Sequence, residues 1–200
     1  MDLGFILMED KYPNWFAVTA QHNFEKHLLP FVGQEGLHFL QLGVYTGDAT
    51  EFLCKNILTG KNSWLHDVDT WEGSDEEIHK SIDFSEVIKI YRKRLNNNAP
   101  VVPFAETTTS YLLDTARARF YTYDFIYVDA DHTTVGVLLD AELSWPQLKS
   151  GGIMAFDDYN WGNALPLHLR PKPGIDLFLL RHDGEYELLE KNEQLWIKKL

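Results

Sequence analysis

Two clusters of acids, each directly behind an apolar run, are the residues of this sequence best suited to chemistry. The first consists of Asp129, Asp131 and His132 behind the run 125–128, and the second of Asp157 and Asp158 behind the run 151–156. Carboxylates held close together repel one another, so some would stay protonated unless a cation neutralised them. Oxygen ligands of this kind suit Mg²⁺, Mn²⁺ or Ca²⁺ rather than zinc.

The acids also have a purely structural interpretation, as caps of the helix after the first run and of the loop after the second. Asp129 and Asp131 are two positions apart, so they point the same way if the strand continues through them. One of the two could then bind a metal ion while the other faces a substrate.

A glycine-flanked turn follows the first apolar run of the chain, in the segment "QLGVYTGDAT". A turn without side chains at Gly43 and Gly47 lets a ligand approach the backbone, and a helix start offers free N–H groups. Asp48 is placed to cap that helix. The segment is not G-x-G-x-x-G, so the dinucleotide-binding fingerprint is absent.

An acid after the second apolar run would complete a nucleoside site. Asp69, in "HDVDTW", is the preferred partner for ribose hydroxyls, and Asp67 is the runner-up. Glu106, after the third run, could approach the adenine or its ribose. An adenosine site without a pyrophosphate site is therefore expected, with contacts from Gly43, Tyr45, Gly47, Asp69, Glu106 and Asp129.

The elements that must position these residues alternate along the chain. Apolar runs predict strands at 37–44, 63–69, 99–105, 124–130 and 151–157, followed by a terminal strand pair at 185–190 and 194–200. Helical patterns fall at 49–57, 84–95, 108–118, 138–148 and 174–182, with a further helix at about 13–31 packed on the outside. Such alternation predicts a three-layer, doubly wound α/β fold whose ligands bind beyond the carboxyl ends of the strands.

Residues 158–173 show no periodicity and contain three prolines. Long loops in compact domains are usually functional or disordered, so this one is expected to act as a substrate lid. Its candidate substrate contacts are Tyr159, Trp161 and His168.

Composition narrows the choice of partners. The formal net charge of −12 argues against nucleic acid and against an anionic membrane surface. Cys54 is the single cysteine and cannot form an internal disulfide. The first eleven residues lack the basic start of a signal peptide. One cytoplasmic domain over residues 1–200 is expected, and a homo-oligomer is compatible with the sequence.

Three segments carry a resemblance to a known family: "FLQLGVYTGDATEFL", "VDTWEG" and "DFIYVDADHTTVGVLLDAELSWPQLKSGGIMAFDDYNW". Together they resemble class I S-adenosylmethionine-dependent methyltransferases. More narrowly, they resemble the small single-domain group that includes the macrocin and novobiocin-type sugar O-methyltransferases. The resemblance runs from about residue 37 to 161 and is most specific over 124–161.

The resemblance implies a mostly parallel seven-stranded sheet with an antiparallel last strand, and S-adenosylmethionine as cofactor. It also implies a divalent cation, Mg²⁺ foremost, held by Asp129, Asp157 and Asp158, with Asp131 as general base. His132 directly follows Asp131, which departs from the family pattern and makes His132 the alternative base. The expected reaction is O-methylation of a hydroxyl on a small molecule.

Two other functions stay open for the same fold. A hydroxylase-like relative could hold iron, although the usual iron site has two histidines and one carboxylate rather than three aspartates. A domain that binds the cofactor or a partner without turnover is the other alternative.

Overall fold

The computed structural model describes residues 12–74, 77–95, 99–118 and 122–200. The first eleven residues, on which the expectation about a signal peptide rests, lie outside this part of the chain. Within it, no helix combines the length and the apolar character needed to cross a membrane.

Seven strands of the described chain form one sheet in the order β3-β2-β1-β4-β5-β7-β6. They are β1 (His38–Leu42), β2 (Trp64–Asp69), β3 (Val101–Ala105), β4 (Tyr123–Val128), β5 (Leu148–Phe156), β6 (Tyr186–Lys191) and β7 (Leu195–Lys199). The first five pair in parallel, whereas β7 runs antiparallel to both β5 and β6. The predicted α/β fold and antiparallel last strand are therefore confirmed.

Helices cover both faces of the sheet. They are α1 (Gln21–His27), α2 (Asp48–Phe52), α3 (Phe84–Arg94), α4 (Thr108–Ala118), α5 (Thr134–Ser144) and α6 (Pro171–Arg181). Single π-helical turns, Phe16–Ala20 and Leu53–Ile57, precede α1 and extend α2. Short 3₁₀ segments lie at Leu29–Phe31, Glu77–Ser81, Trp145–Gln147 and Leu167–Leu169.

The N-terminal helix α1 packs against the sheet through its buried side. Phe24 of α1 is fully buried. Its ring lies edge-on to Phe125 (5.6 Å), Tyr127 (4.9 Å) and Trp196 (5.2 Å), measured between ring centroids. A fully buried aromatic side chain of this size contributes about 3 kcal/mol or more to stability. Helix α1 is therefore part of the layer that covers one face of the sheet.

Several element boundaries differ from the sequence prediction, and helix α5 spans Thr134–Ser144 instead of 138–148. β4 ends at Val128 rather than residue 130, and β5 begins at Leu148 rather than residue 151. Helix α6 begins at Pro171 instead of residue 174. Proline lacks a backbone N–H, but the first turn of a helix has no use for one, so prolines there do not delay the helix.

Candidate active site at the carboxyl edge of the sheet

The strand order reverses between β1 and β4, and both candidate clusters lie at the carboxyl ends of the strands beside that point. The parallel ladder continues one residue beyond the strands and joins four strand ends. Its backbone bonds run from Gly43 N to Val68 O (2.9 Å), from Asp129 N to Leu42 O (2.8 Å) and from Asp157 N to Val128 O (3.0 Å). The first residues after β1, β4 and β5 are therefore held side by side.

Gly43 allows the turn after β1 to approach the end of β4 closely. Its φ is +84°, and a Cβ atom there would lie 2.0 Å from the carbonyl oxygen of Asp129. A backbone carbonyl cannot swing away as a side chain can. Only glycine therefore fits where the turn after β1 meets the end of β4.

Asp69 organises the turn after β1. Its Oδ2 accepts hydrogen bonds from the N–H groups of Val44 (2.7 Å) and Tyr45 (3.0 Å), and its Oδ1 accepts from that of Trp71 (2.7 Å). An ionised carboxylate offers about four lone-pair sites. Three of these sites are used within the protein. A ribose hydroxyl would have to bind the remaining lone-pair site, and that contact stays a prediction.

Asp67, the runner-up for the ribose contact, is enclosed, and that alternative is wrong. The side chain is fully buried. Its Oδ2 accepts hydrogen bonds from Thr50 Oγ1 (2.7 Å) and the Tyr91 hydroxyl (2.9 Å). Burial raises the pKa of Asp67 to about 7. The side chain lies between α2, α3 and the sheet, where no ligand at the edge can reach it.

Asp48 does not cap α2. The N-cap is Gly47, in a left-handed conformation with φ +83°. Asp48 instead forms an ion pair with Arg94 of α3 (2.5 Å) and accepts a hydrogen bond from Thr46 (2.5 Å). The pair links the turn after β1 to α3.

Aromatic side chains of the N-terminal segment pack on this turn. The Tyr45 ring lies 4.8 Å from that of Trp15 and 6.3 Å from that of Tyr12. The Tyr12 hydroxyl donates to Glu86 Oε2 of α3 (3.1 Å). The turn is thus covered by residues before α1, whereas Glu106, half-buried behind β3, lies farther along the same edge.

The acids after β4 and β5 meet around His132. Its Nε2 lies 3.2 Å from Asp158 Oδ2 and 3.6 Å from Asp129 Oδ1. One candidate ligand atom from each of these residues lies within 4.8 Å of the others. Burial, followed by the charge of Asp157, raises the pKa of Asp129 well above its usual value. The arrangement brings two carboxylates and an imidazole to one point.

Asp157 stands beside this group. Its Oδ2 accepts a hydrogen bond from the Tyr127 hydroxyl, and its Oδ1 accepts from the N–H of Asp158 (2.8 Å). Asp158 adopts a left-handed backbone conformation with φ 55°. The assignment of Asp157 as a metal ligand stays a prediction.

Asp131 faces a different element. Because β4 ends at Val128, the strand does not continue through Asp129 and Asp131, and the argument that both point the same way is wrong. Asp131 Oδ1 accepts from the N–H of Thr133 (2.7 Å). A Cβ atom at Gly136 would lie 2.0 Å from Asp131 Cγ, so the carboxylate rests on the first turn of α5. Asp131 thus lies against the start of α5, although the N-cap of that helix is Thr133.

Of the predicted substrate contacts, Trp161 alone lies against the acid cluster. Its ring centroid is 5.2 Å from that of His132. Tyr159 is buried and donates a hydrogen bond to Asp176 (2.6 Å), and its predicted substrate contact stays a prediction. His168 is exposed in the segment Leu167–Leu169.

The predicted lid is shorter than expected and is tied down at both ends. The N–H of Tyr159 donates to the carbonyl of Glu193 (2.8 Å). The hydroxyl of Thr134 contacts the carbonyl oxygens of Leu167 (2.7 Å) and Arg170 (2.8 Å). Lid movement stays a prediction for the residues between these anchors.

A family model described as "Methyltransferase domain" matches residues 40–159. The match spans more than half of the chain and contains the glycine turn, Asp69 and all the acids of the cluster. The chain belongs to the methyltransferase-domain family. The N-terminal helix and the β6–β7 hairpin of this methyltransferase lie outside the match.

Several solved structures share the fold. A Clostridium thermocellum protein described as an rRNA methylase has 16% identity and a TM-score of 0.64, with 91% of this chain and 98% of that chain covered. MycE, from the mycinamycin biosynthetic pathway and in complex with Mg and SAH, has 16% identity and a TM-score of 0.63. The O-methyltransferase NovP has 16% identity and a TM-score of 0.59, over 81% of this chain and 71% of that chain.

The match to MycE covers 92% of this chain but 49% of MycE, so the methyltransferase spans about half the length of that protein. No curated protein matches the chain in sequence. Structural matches at sequence identities this low establish the fold alone.

Proposed function

We propose that this methyltransferase transfers the methyl group of S-adenosylmethionine to a hydroxyl oxygen of a small molecule, with the help of a divalent cation. The observation that carries the proposal is the convergence of Asp129, His132 and Asp158, with Asp157 beside them, next to the turn that begins at Gly43 at the point of strand reversal. MycE, which shares the fold, has been solved with Mg, SAH and mycinamycin VI.

The cofactor would lie over the turn after β1. Besides Gly43, Gly47 keeps the turn narrow, because a Cβ atom there would lie 2.7 Å from the Tyr91 ring. S-Adenosylmethionine supplies an activated methyl group on sulfur. Asp69 fixes the shape of the turn through its three N–H contacts, and we assign the cofactor contacts to Gly43, Tyr45, Gly47, Asp69, Glu106 and Asp129.

A cation fits the acids after β4 and β5. Asp129 and Asp158 each offer an oxygen within 4.8 Å of the other. The charge of Asp157 acts on Asp129, so we assign Asp157 as the third oxygen donor. Carboxylate oxygens favour Mg²⁺ or Mn²⁺. When bound there, a divalent cation would lower the pKa of the acceptor hydroxyl and orient it.

His132 is the group best placed to take the hydroxyl proton. Asp158 and Asp129 flank its Nε2 and would stabilise the imidazolium, while Trp161 covers one side of the ring. The O–CH₃ bond forms as the C–S bond breaks, and the proton passes to His132. Asp131 is the less suitable base because its carboxylate faces α5.

A small acceptor is favoured over ribosomal RNA, although rRNA methylases share the fold. RNA binding depends on contacts from basic side chains to phosphates. This chain carries a formal net charge of −12. An acid cluster at the site would repel a phosphate backbone further.

The proposal is tested by methyl transfer from labelled S-adenosylmethionine to sugars, phenols and ribosomal RNA, each with Mg²⁺ or with EDTA. We expect transfer to a small hydroxyl compound that EDTA abolishes. His132→Gln should slow turnover by about 10²–10⁴-fold while binding of S-adenosylhomocysteine and Mn²⁺ persists. The matched variant Asp131→Asn should remain within a few-fold of wild type.

Each other result has a definite meaning. Failure to bind S-adenosylhomocysteine would refute the methyltransferase assignment at this site. Transfer to RNA alone would refute the small acceptor. Tight cofactor binding without transfer to any acceptor would favour a binding domain. Loss of Mn²⁺ binding in His132→Gln would make His132 a ligand rather than the base.

A further inference from the structure

A buried chain of hydrogen bonds leads from α1 to Asp157. Asn23 Nδ2 donates to Gln194 Oε1 (2.9 Å), and Gln194 Nε2 donates to the Tyr127 hydroxyl (3.4 Å). The Tyr127 hydroxyl donates to Asp157 Oδ2. Asn23, Gln194 and Tyr127 are each at most 1% exposed. We propose that Tyr127 and Gln194 are positioning residues that hold the Asp157 carboxylate at the candidate metal site.

The direction of this chain is fixed by Trp196. An indole N–H can only donate, and Trp196 Nε1 donates to Gln194 Oε1 (3.0 Å). The amide nitrogen of Gln194 must therefore face Tyr127 and donate to its oxygen. Since a tyrosine hydroxyl has one proton, that proton is left for Asp157.

The chain acts on Asp158 as well as on Asp157. With Oδ2 held by Tyr127, Oδ1 of Asp157 accepts the N–H of Asp158 (2.8 Å). This contact supports the left-handed conformation of Asp158, whose side chain reaches His132. A carboxylate that rotated freely would leave that turn without support.

Tyr127 lies inside the family match, but the residues behind it in the hydrogen-bond chain lie outside. Asn23 lies on α1 and Gln194 in the β6–β7 turn, whereas the match covers residues 40–159. Because β7 is antiparallel to β5, its first residue, Leu195, pairs with Phe156 at the carboxyl end of β5. The turn that carries Gln194 is thereby delivered next to Asp157.

The inference rests on the proposed metal site, so it is tested by metal binding. Mn²⁺ affinity would be measured by calorimetry and by electron paramagnetic resonance on the full chain, in the presence of S-adenosylhomocysteine. Loss of a group that orients a ligand typically weakens metal binding about 10–100-fold. We expect Tyr127→Phe to raise the Mn²⁺ Kd by about 10-fold, with the S-adenosylhomocysteine Kd within about 2-fold.

Tyr123→Phe is the matched control. Tyr123 lies on the same strand and is equally buried, and its hydroxyl bonds to that of Tyr111 (2.6 Å), away from the acids. It should lose a similar amount of stability and keep wild-type Mn²⁺ affinity. Gln194→Met, which leaves Tyr127 in place, should weaken Mn²⁺ binding about 3–10-fold and change the spectrum of the bound ion.

Wild-type Mn²⁺ affinity in both Tyr127→Phe and Gln194→Met, with binding lost in Asp129→Asn, would refute the positioning role and leave the proposed function intact. An equal loss of affinity in Tyr123→Phe would also refute it, because the effect would then be general destabilisation. If wild type binds no Mn²⁺, the metal site and this inference both fail.

Discussion

The turn after β1 and the acid cluster after β4 and β5 meet at one edge of the sheet but are built in opposite ways. The turn is held by Asp69, the last residue of β2, which accepts three backbone N–H groups, so its charge faces dipoles that the fold itself supplies. Asp129 and Asp158 face one another and His132. The charge of Asp69 is compensated by hydrogen bonds within the protein, whereas the acid cluster gathers negative charge that a cation would neutralise.

The difference shows which chemistry each half can perform. A turn held by backbone hydrogen bonds offers shape, which suits a ligand recognised by its outline and by a few polar groups. A cluster of half-buried carboxylates offers charge, which suits a hard cation. The methyl transfer to a hydroxyl that we propose needs both, because the enzyme must position the donor and assist loss of the acceptor proton.

The largest effect should come from breaking the contact between the halves. Gly43→Ala places a Cβ atom 2.0 Å from the Asp129 carbonyl, whereas Gly151→Ala, at a similar positive φ, meets nothing within 4 Å. We expect Gly43→Ala to lower the free energy of unfolding by at least about 3 kcal/mol and Gly151→Ala by about 1 kcal/mol. Urea denaturation measures both, and equal losses would show that backbone strain alone matters.

The next largest effect is on ligand affinity, and it should differ between a variant in the turn region and a variant in the acid cluster. Asp69→Ala removes the acceptor of three N–H groups and should raise the S-adenosylhomocysteine Kd by about 100-fold, since hydrogen bonds to charged groups are worth about 1.5–3 kcal/mol each. Asp158→Asn should raise the Mn²⁺ Kd by a similar factor. Calorimetry should find the other ligand's affinity within about 3-fold in each variant. If either variant lost affinity for both ligands, the division of the edge into two independent halves would be contradicted.

The smallest effect concerns Asp67, which is buried behind the turn after β1, and it is an effect on stability alone. The pKa of Asp67 is raised to about 7 by burial, above its value of about 3.9 in an unfolded chain. Between these values the unfolded state loses its proton while the folded state keeps it. This carboxyl therefore reduces stability as pH rises from about 4 to about 7, and the loss is complete above pH 7.

Asp67→Asn should remove that dependence. One oxygen of Asp67 accepts both hydrogen bonds, from Thr50 and Tyr91, so the amide oxygen can keep them. We expect the fall in unfolding free energy between pH 5 and pH 8 to shrink by about 2–3 kcal/mol. Urea denaturation at both pH values tests this, with the exposed Asp114→Asn as control. An unchanged pH dependence would show that Asp67 is ionised in the folded protein.

Much of the fold followed from local patterns. Apolar runs alternating with helical periodicity predicted the parallel strands and the helices between them, because burial on both faces of a sheet demands that pattern. Element ends were less predictable. Pro171 begins α6 although proline is read as a helix breaker, and the two acids behind β4 diverge because the strand stops at Val128.

The sequence by itself determined which residues come to the edge of the sheet. Glycines and acids directly behind apolar runs must lie at the carboxyl ends of parallel strands, and Asp129, Asp157, Asp158 and Asp69 are all there. Their roles depended on the tertiary structure, since an acid's function follows from what its oxygens meet. Asp67 meets the hydroxyls of Thr50 and Tyr91, Asp131 meets α5, and Asp157 meets Tyr127. The contacts of Asp67 and Asp157 join residues 17 to 30 positions apart in the chain, so no local pattern records them.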